Sequence, residues 1–146
     1  MDSVDRDIIL ALQEDGRLSN LDLAARVGLS AAPCHRRVRR LQADGVITGF
    51  RAVIDHAAVN RGCEVIILAD LVAKDLSTVE DFESQVAGMP EVVELRRMFS
   101  VPDYLIRVRV RDLAEYESWL TTRLIGHPAI ARVDSRITMK LLKHEP

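Results

Sequence analysis

The sequence predicts an α+β chain: three helices in the first third, then strands and helices in the order β-α-β-β-α-β. Three observations predict it. Apolar residues recur every three to four positions up to about residue 43. Beyond residue 62 they alternate in twos over several short runs. Gly16, Gly28, Gly45 and Gly62 fall between the runs, where a chain has to turn.

The first helix carries Val4, Ile8, Ile9 and Leu12 on one side and is ended by Gly16. Ser19 and Asn20 are good N-cap residues for a second helix, which holds Leu21, Leu23, Ala24 and Val27 before Gly28 stops it. Ser30 caps a third helix, and Pro33 fits because its missing N–H is harmless in a first turn. That helix runs to about Ala43. A small residue at the crossing (Ala24 or Ala25), a glycine in the turn and the apolar anchors Leu29, Cys34, Val38 and Leu41 satisfy a helix-turn-helix, here winged-helix-like, over 1–45. Residues 46–61 are β-rich with a central Gly49 and predict a linker strand or hairpin.

From residue 62 to 146 the elements are a strand over Cys63–Ala73, a helix over Ser77–Met89 and a strand over Val92–Phe99. A strand over Tyr104–Arg111 follows, with Ile106, Val108 and Val110 on one face and Arg107, Arg109 and Arg111 on the other. A helix over Leu113–Ile125 and a last alternating strand from Val133 to Leu141 complete the set. This order is that of a ferredoxin-like domain, an antiparallel four-stranded sheet with two helices on one face.

The net charge of −2 conceals a concentrated basic patch. Residues 1–60 carry eight Arg against eight acidic residues, yet 30–51 hold Arg36, Arg37, Arg39, Arg40 and Arg51 against Asp44 alone. Local positive charge on a near-neutral body suits specific binding to double-stranded DNA, where a uniformly basic chain would bind any polyanion. At about 100° per residue, Cys34, Val38 and Leu41 form the buried stripe of the third helix. Arg36, Arg39 and Arg40 then face outward with Ala32, His35 lies on a flank, and Arg37 sits nearer the buried edge. Ser30, Ala31, Ala32 and Pro33 at the helix start are small enough for close approach to base edges. The candidate DNA-binding set is therefore Ser30, Ala31, Ala32, Pro33, His35, Arg36, Arg39 and Arg40.

Other chemistries find no residues. Cys34 and His35 are helix neighbours whose side chains diverge by about 100°, so they do not converge on one atom. No spacing of Cys or His suggests a metal site, and no glycine-rich phosphate loop or paired carboxylates occur. The expectation is a non-enzymatic protein without metal or cofactor. The acidic, polar start MDSVDRD lacks the features of a signal peptide, and the apolar run Val65–Ala73 is too short to span a bilayer. Two cysteines without a CxxC fit a reducing, cytoplasmic setting with no membrane partner.

The stretches VDRDIILALQEDGRLSNLDLAARVGLS and PCHRRVRRLQADGVITGF closely resemble the N-terminal module of the Lrp/AsnC (feast/famine) transcription regulators. PDYLIRVRV and HPAIARVDSRITMKLLK resemble the regulatory domain of that family. The resemblance implies a transcriptional regulator whose second domain pairs into dimers, often assembled into tetramers or octamers. It also implies an amino acid or similar small effector held between subunits. Residues carried over by the resemblance are Asp103 and Tyr104, with Ser100, Val101, Arg136 and Thr138 as neighbours. The chain departs from the family pattern in this turn. Ser100 and Val101 stand where many members have Gly-Asp, Pro102 offers no N–H, and Val133 and Ser135 replace a TxT.

Overall fold

The computed structural model describes residues 1–143. The chain divides into two compact units, Met1–Ile54 and a second from Asp55 onward. Of the regulatory domain expected over 62–146, positions 144–146 lie outside the described residues.

The first unit holds α1 (Ser3–Glu14), α2 (Asn20–Arg26) and α3 (Ala31–Ala43). Each starts where the sequence supplies a cap. Asp2 and Asp5 form a reciprocal capping box on α1, and Ser19 accepts from the Asp22 N–H on α2. Ser30 is the N-cap of α3 as expected, although its hydroxyl makes no capping hydrogen bond. Ile8, Ala11, Leu23, Ala24, Cys34 and Leu41 form a core to which all three helices contribute.

The second unit holds β1 (Cys63–Leu71), α4 (Leu76–Ala87), β2 (Val92–Arg97), β3 (Tyr104–Val110), α5 (Leu113–Trp119) and β4 (Ile130–Ile137). A π-helical turn, Leu120–Leu124, continues α5, so the single helix expected to Ile125 changes its winding. The sheet order is β2-β3-β1-β4 with antiparallel neighbours throughout, the ferredoxin-like arrangement. Val65, Ile67, Ala69 and Leu71 alternate into the core with Tyr104, Ile106, Val108 and Val110. Val79, Phe82 and Val86 from α4, Tyr116 and Trp119 from α5, and Leu124 cover them. Trp119 is thus a core residue of this unit. On the opposite face Ile66, Leu68 and Leu105 are half-buried beside an ion network in which Glu64 pairs with Arg109 at 2.8 Å and Glu94 with Arg107 at 2.7 Å.

Two expectations are corrected. Residues 46–61 form no strand or hairpin. A strand needs a neighbour for its N–H and C=O groups, and among the described residues the segment has no strand partner; Val46, Phe50, Val53 and Ile54 lie exposed. The last strand stops at Ile137 rather than Leu141. Its partner β1 begins at Cys63, and after the Thr138 N–H has met the Glu64 carbonyl at 2.9 Å the ladder runs out.

Candidate functional site

The turn between α2 and α3 is a Schellman motif. The Leu29 N–H reaches the Ala24 carbonyl at 2.9 Å, the Gly28 N–H reaches Ala25, and Gly28 sits at φ +69°. Gly45, at φ +71°, closes α3 in the same way, with the Val46 N–H on the Leu41 carbonyl at 2.9 Å. At the other end of α3 the Asn20 side-chain amide donates to the Ala31 carbonyl at 2.8 Å. Both ends of the helix are therefore fixed by hydrogen bonds, and Cys34 and Leu41 anchor it in the core.

The exposed side of α3 carries Ala32, His35, Arg36 and Arg39, which share one face at helical spacing. Ser30 is also exposed, while Ala31 and Pro33 are half-buried at the helix start. Among the described residues, Arg36 and Arg39 enter no ion pair.

Arg40 departs from expectation. Rather than standing free beside Arg36 and Arg39, it places Nη2 at 2.7 Å from both carboxylate oxygens of Asp5. Arg37 Nη1 donates to Asp5 at 2.8 Å and to Asp2 at 2.7 Å. The cause is the burial of Asp5, whose side chain is 1% exposed: a buried carboxylate needs compensating charge, and two arginines three positions apart on α3 both reach it. Burial pushes the Asp5 carboxyl up, but the Arg37 hydrogen bond, the Asp2 N–H and the Arg40 charge outweigh it and hold it below the usual range. Sequence periodicity missed Asp2, Asp5 and Asn20, because pairing across helices has no periodic signature. The Asp2-x-x-Asp5 spacing was the available sign of a cap.

The second candidate site is the turn before β3. Asp103 accepts from the Leu71 N–H at 3.0 Å and pairs with Lys74 Nζ at 2.5 Å, while its own N–H donates to Asp70 at 3.2 Å. Burial raises its carboxyl, but Lys74, the Leu71 N–H and the Arg97 charge hold it below the ordinary value. Ser100 and Val101 lie exposed in the same turn. Tyr104 does not join them. It is 1% exposed, packs 4.8 Å from the Phe82 ring and donates its hydroxyl to Glu83 at 2.7 Å. Burial, then the Glu83 carboxylate, push its phenol to about 12.

Arg136 and Thr138 lie at the other end of the sheet. Tyr104 pairs with Ala69, whereas Thr138 meets Glu64 through its N–H at 2.9 Å and its hydroxyl at 3.0 Å. Five residues along β1 separate the two places by about 17 Å. Arg136 is exposed and pairs with Asp134 at 3.0 Å on its own strand. One chain therefore splits the six candidate effector residues into two groups. Among the described residues no cluster of three or more His, Cys, Asp or Glu could hold a metal, and no helix is long and apolar enough to cross a membrane.

A helix-turn-helix with an arginine-bearing second helix, joined to a ferredoxin-like unit, defines a two-domain DNA-binding regulator. Residues 1–48 match the winged helix-turn-helix DNA-binding domain and residues 64–146 the Lrp/AsnC ligand binding domain. The chain belongs to the Lrp/AsnC family of transcriptional regulators. A leucine-responsive regulatory protein of Haemophilus influenzae is 34% identical over 143 residues, covering 98% of this chain and 86% of its own length. The Bkd operon transcriptional regulator of Pseudomonas aeruginosa is 36% identical over 140 residues, covering 96% and 92%. A crystal structure of a transcriptional regulator from Neisseria meningitidis, in complex with L-Met, superposes with a TM-score of 0.95 at 30% identity over 99% of this chain and 94% of that one. These relatives are transcriptional regulators, in keeping with the expectation of a non-enzymatic protein.

Proposed function

We propose that this regulator is sequence-specific and works as a homo-oligomer, a dimer at least and a tetramer or octamer by assembly of dimers. Its DNA binding responds to an amino acid or related small molecule. In this reading residues 1–45 bind DNA in the cytoplasm, 46–61 link, and 62–146 regulate and oligomerise. The observation that carries it is the pair of exposed arginines Arg36 and Arg39, without ion-pair partners among the described residues, on the face of α3 that also bears Ala32 and His35. Arginines of this kind reach guanine edges or phosphates, and small residues at the helix start (Ser30, Ala31, Ala32, Pro33) permit close approach. A dimer sets two such helices against half-sites about one helical turn apart.

The effector part rests on the family and on the L-Met complex of the Neisseria relative. A site that draws on both Ser100, Val101 and Asp103 and on Arg136 and Thr138 requires two copies of the chain, because one chain holds the groups at opposite sheet ends. An effector that binds one quaternary state more tightly shifts the population of that state and with it the spacing of the helices.

The test has two arms. Fragments selected from genomic DNA are retained over random duplex at moderate salt, and Arg36→Ala with Arg39→Ala abolishes the preference and flattens the salt dependence. Equal affinity for selected and random DNA overturns the specific-regulator reading. In the second arm an amino-acid panel is screened for changes in melting temperature, oligomer size and footprint. If no member changes any of them, the effector reading fails.

A further inference from the structure

The buried carboxylate of Asp5 is more than a strut between α1 and α3. It accepts from Arg37 at 2.8 Å, from Arg40 at 2.7 Å on each oxygen, and from the Asp2 N–H at 3.1 Å. Asp2 adds a second contact to Arg37 at 2.7 Å. Two of the four arginines of α3 are thereby turned toward α1, while Arg36 and Arg39 remain exposed, with no ion pair among the described residues. The side chains of Arg37 and Arg40 are still 27% and 52% exposed, so these cations stand at the surface with their charge answered from within the protein.

Contacts between arginine and phosphate add affinity for any duplex and carry no sequence information. On random duplex nothing fixes the register, so a helix with four unanswered arginines can settle where all four meet phosphates, whereas on a cognate site base contacts fix the register. The added contacts therefore favour random DNA more, and discrimination falls. We propose that Asp5, assisted by Asp2, is a specificity-determining residue of the DNA interface: it withholds Arg37 and Arg40 from phosphates and leaves discrimination to Arg36 and Arg39. Asp5 touches no DNA in this scheme; it acts through the two arginines. The inference rests on the sequence-specific reading above.

A purely structural role and the withholding role predict opposite signs. If the carboxylate only positions α3, removing its charge lowers affinity for every duplex. If it withholds cations, affinity for random duplex rises. The substitutions are Asp5→Asn and Asp2→Asn in the full-length chain, both nearly isosteric. Asn is as good an N-cap as Asp, so Asp2→Asn preserves the start of α1. Binding to a random-sequence duplex is measured against salt concentration, beside binding to a selected genomic fragment.

For Asp5→Asn the expected result is several-fold tighter random-duplex binding at low salt. Its log–log salt slope steepens by up to about 1.8, about 0.9 for each of two recovered phosphate contacts, and the ratio of selected to random affinity falls. Asp2→Asn, which frees only one contact of Arg37, shifts the slope in the same direction by at most about 0.9. Adding Arg37→Gln and Arg40→Gln to Asp5→Asn returns the slope to that of the unaltered protein. Unchanged or weaker random-duplex binding with an unchanged slope in Asp5→Asn overturns the proposal. Should that variant fail to fold, the same absence of gain in Asp2→Asn overturns it. Failure of the unaltered protein to prefer selected DNA overturns the specific-regulator reading instead, and is scored before any variant.

Discussion

The Asn20 side-chain amide donates to the Ala31 carbonyl at 2.8 Å and so ties the first turn of α2 to the first turn of α3. The two residues are eleven positions apart, and the bond crosses the Gly28 turn that separates the helices. It is part-buried, and its loss removes a second hydrogen bond from a carbonyl that already accepts within the first turn of α3. Asn20→Ala is expected to cost about 1 kcal/mol of stability. On the proposed reading of α3 as the DNA-contacting helix, DNA affinity falls by a few-fold with it, since the N-terminal end of α3 is no longer held. Urea unfolding with a binding titration checks both; full affinity in the variant shows that the Schellman turn and the core alone set the helix.

Gly28 offers a test of backbone conformation without packing. It lies at φ +69° and a Cβ built there meets nothing within 4 Å, so an added methyl strains the backbone but clashes with no neighbour. Gly28→Ala is expected to cost about 1–2 kcal/mol, the left-handed penalty of an L-residue. Gly28→Asn costs less, because Asn tolerates that region. Equal costs for the two, read from unfolding midpoints, would assign the loss to something other than φ.

Much of this could be read in the sequence, because helices and sheet strands impose periods of 3.6 and 2 on the residues they bury. Ile8, Leu23, Cys34 and Leu41 were found by the first period, and Val65, Ile67, Ile106 and Val108 by the second. What escaped was pairing between elements. Arg40 looks free on the wheel of its own helix; its partner Asp5 lies 35 positions earlier. Tyr104 is different, since the alternation itself extends from Ile106 by one step of two and places the ring in the core. The family resemblance in the turn pointed the other way. The linker 46–61 has strand composition without a strand partner among the described residues, so composition alone could not decide its state.

Tyr104 links the core to alkaline stability. Its phenol is raised to about 12 in the folded chain against about 10 when unfolded. A folded value above the unfolded one contributes stability that is fully present below pH about 10 and is lost as pH rises toward 12. Tyr104→Phe removes the bond to Glu83 and is expected to cost about 1 kcal/mol at neutral pH, where the half-exposed Glu83 regains water. The gap between variant and unaltered protein then narrows between pH 10 and 12. A gap that stays constant through that interval refutes the coupling.

Lys74, in the loop after β1, and Asp103, in the turn before β3, pair a surface charge with a half-buried acceptor. Lys74 is 64% exposed, and such ion pairs contribute little, so Lys74→Gln is expected to change stability by less than about 1 kcal/mol. Asp103 is 13% exposed and also accepts from the Leu71 N–H at the end of β1. Asp103→Ala strands that donor and is expected to cost about 1–3 kcal/mol. Because the Asp103 carboxyl is depressed in the folded chain, its contribution is present above pH about 4 and is lost as pH falls below that value. The deficit of Asp103→Ala relative to the unaltered protein therefore shrinks on acidification, and urea midpoints at pH 7 and pH 3 measure it. An Asp103→Ala deficit no larger than that of Lys74→Gln would place the strength of the turn in its backbone bonds, the Met98 N–H on the Asp103 carbonyl at 2.7 Å foremost among them.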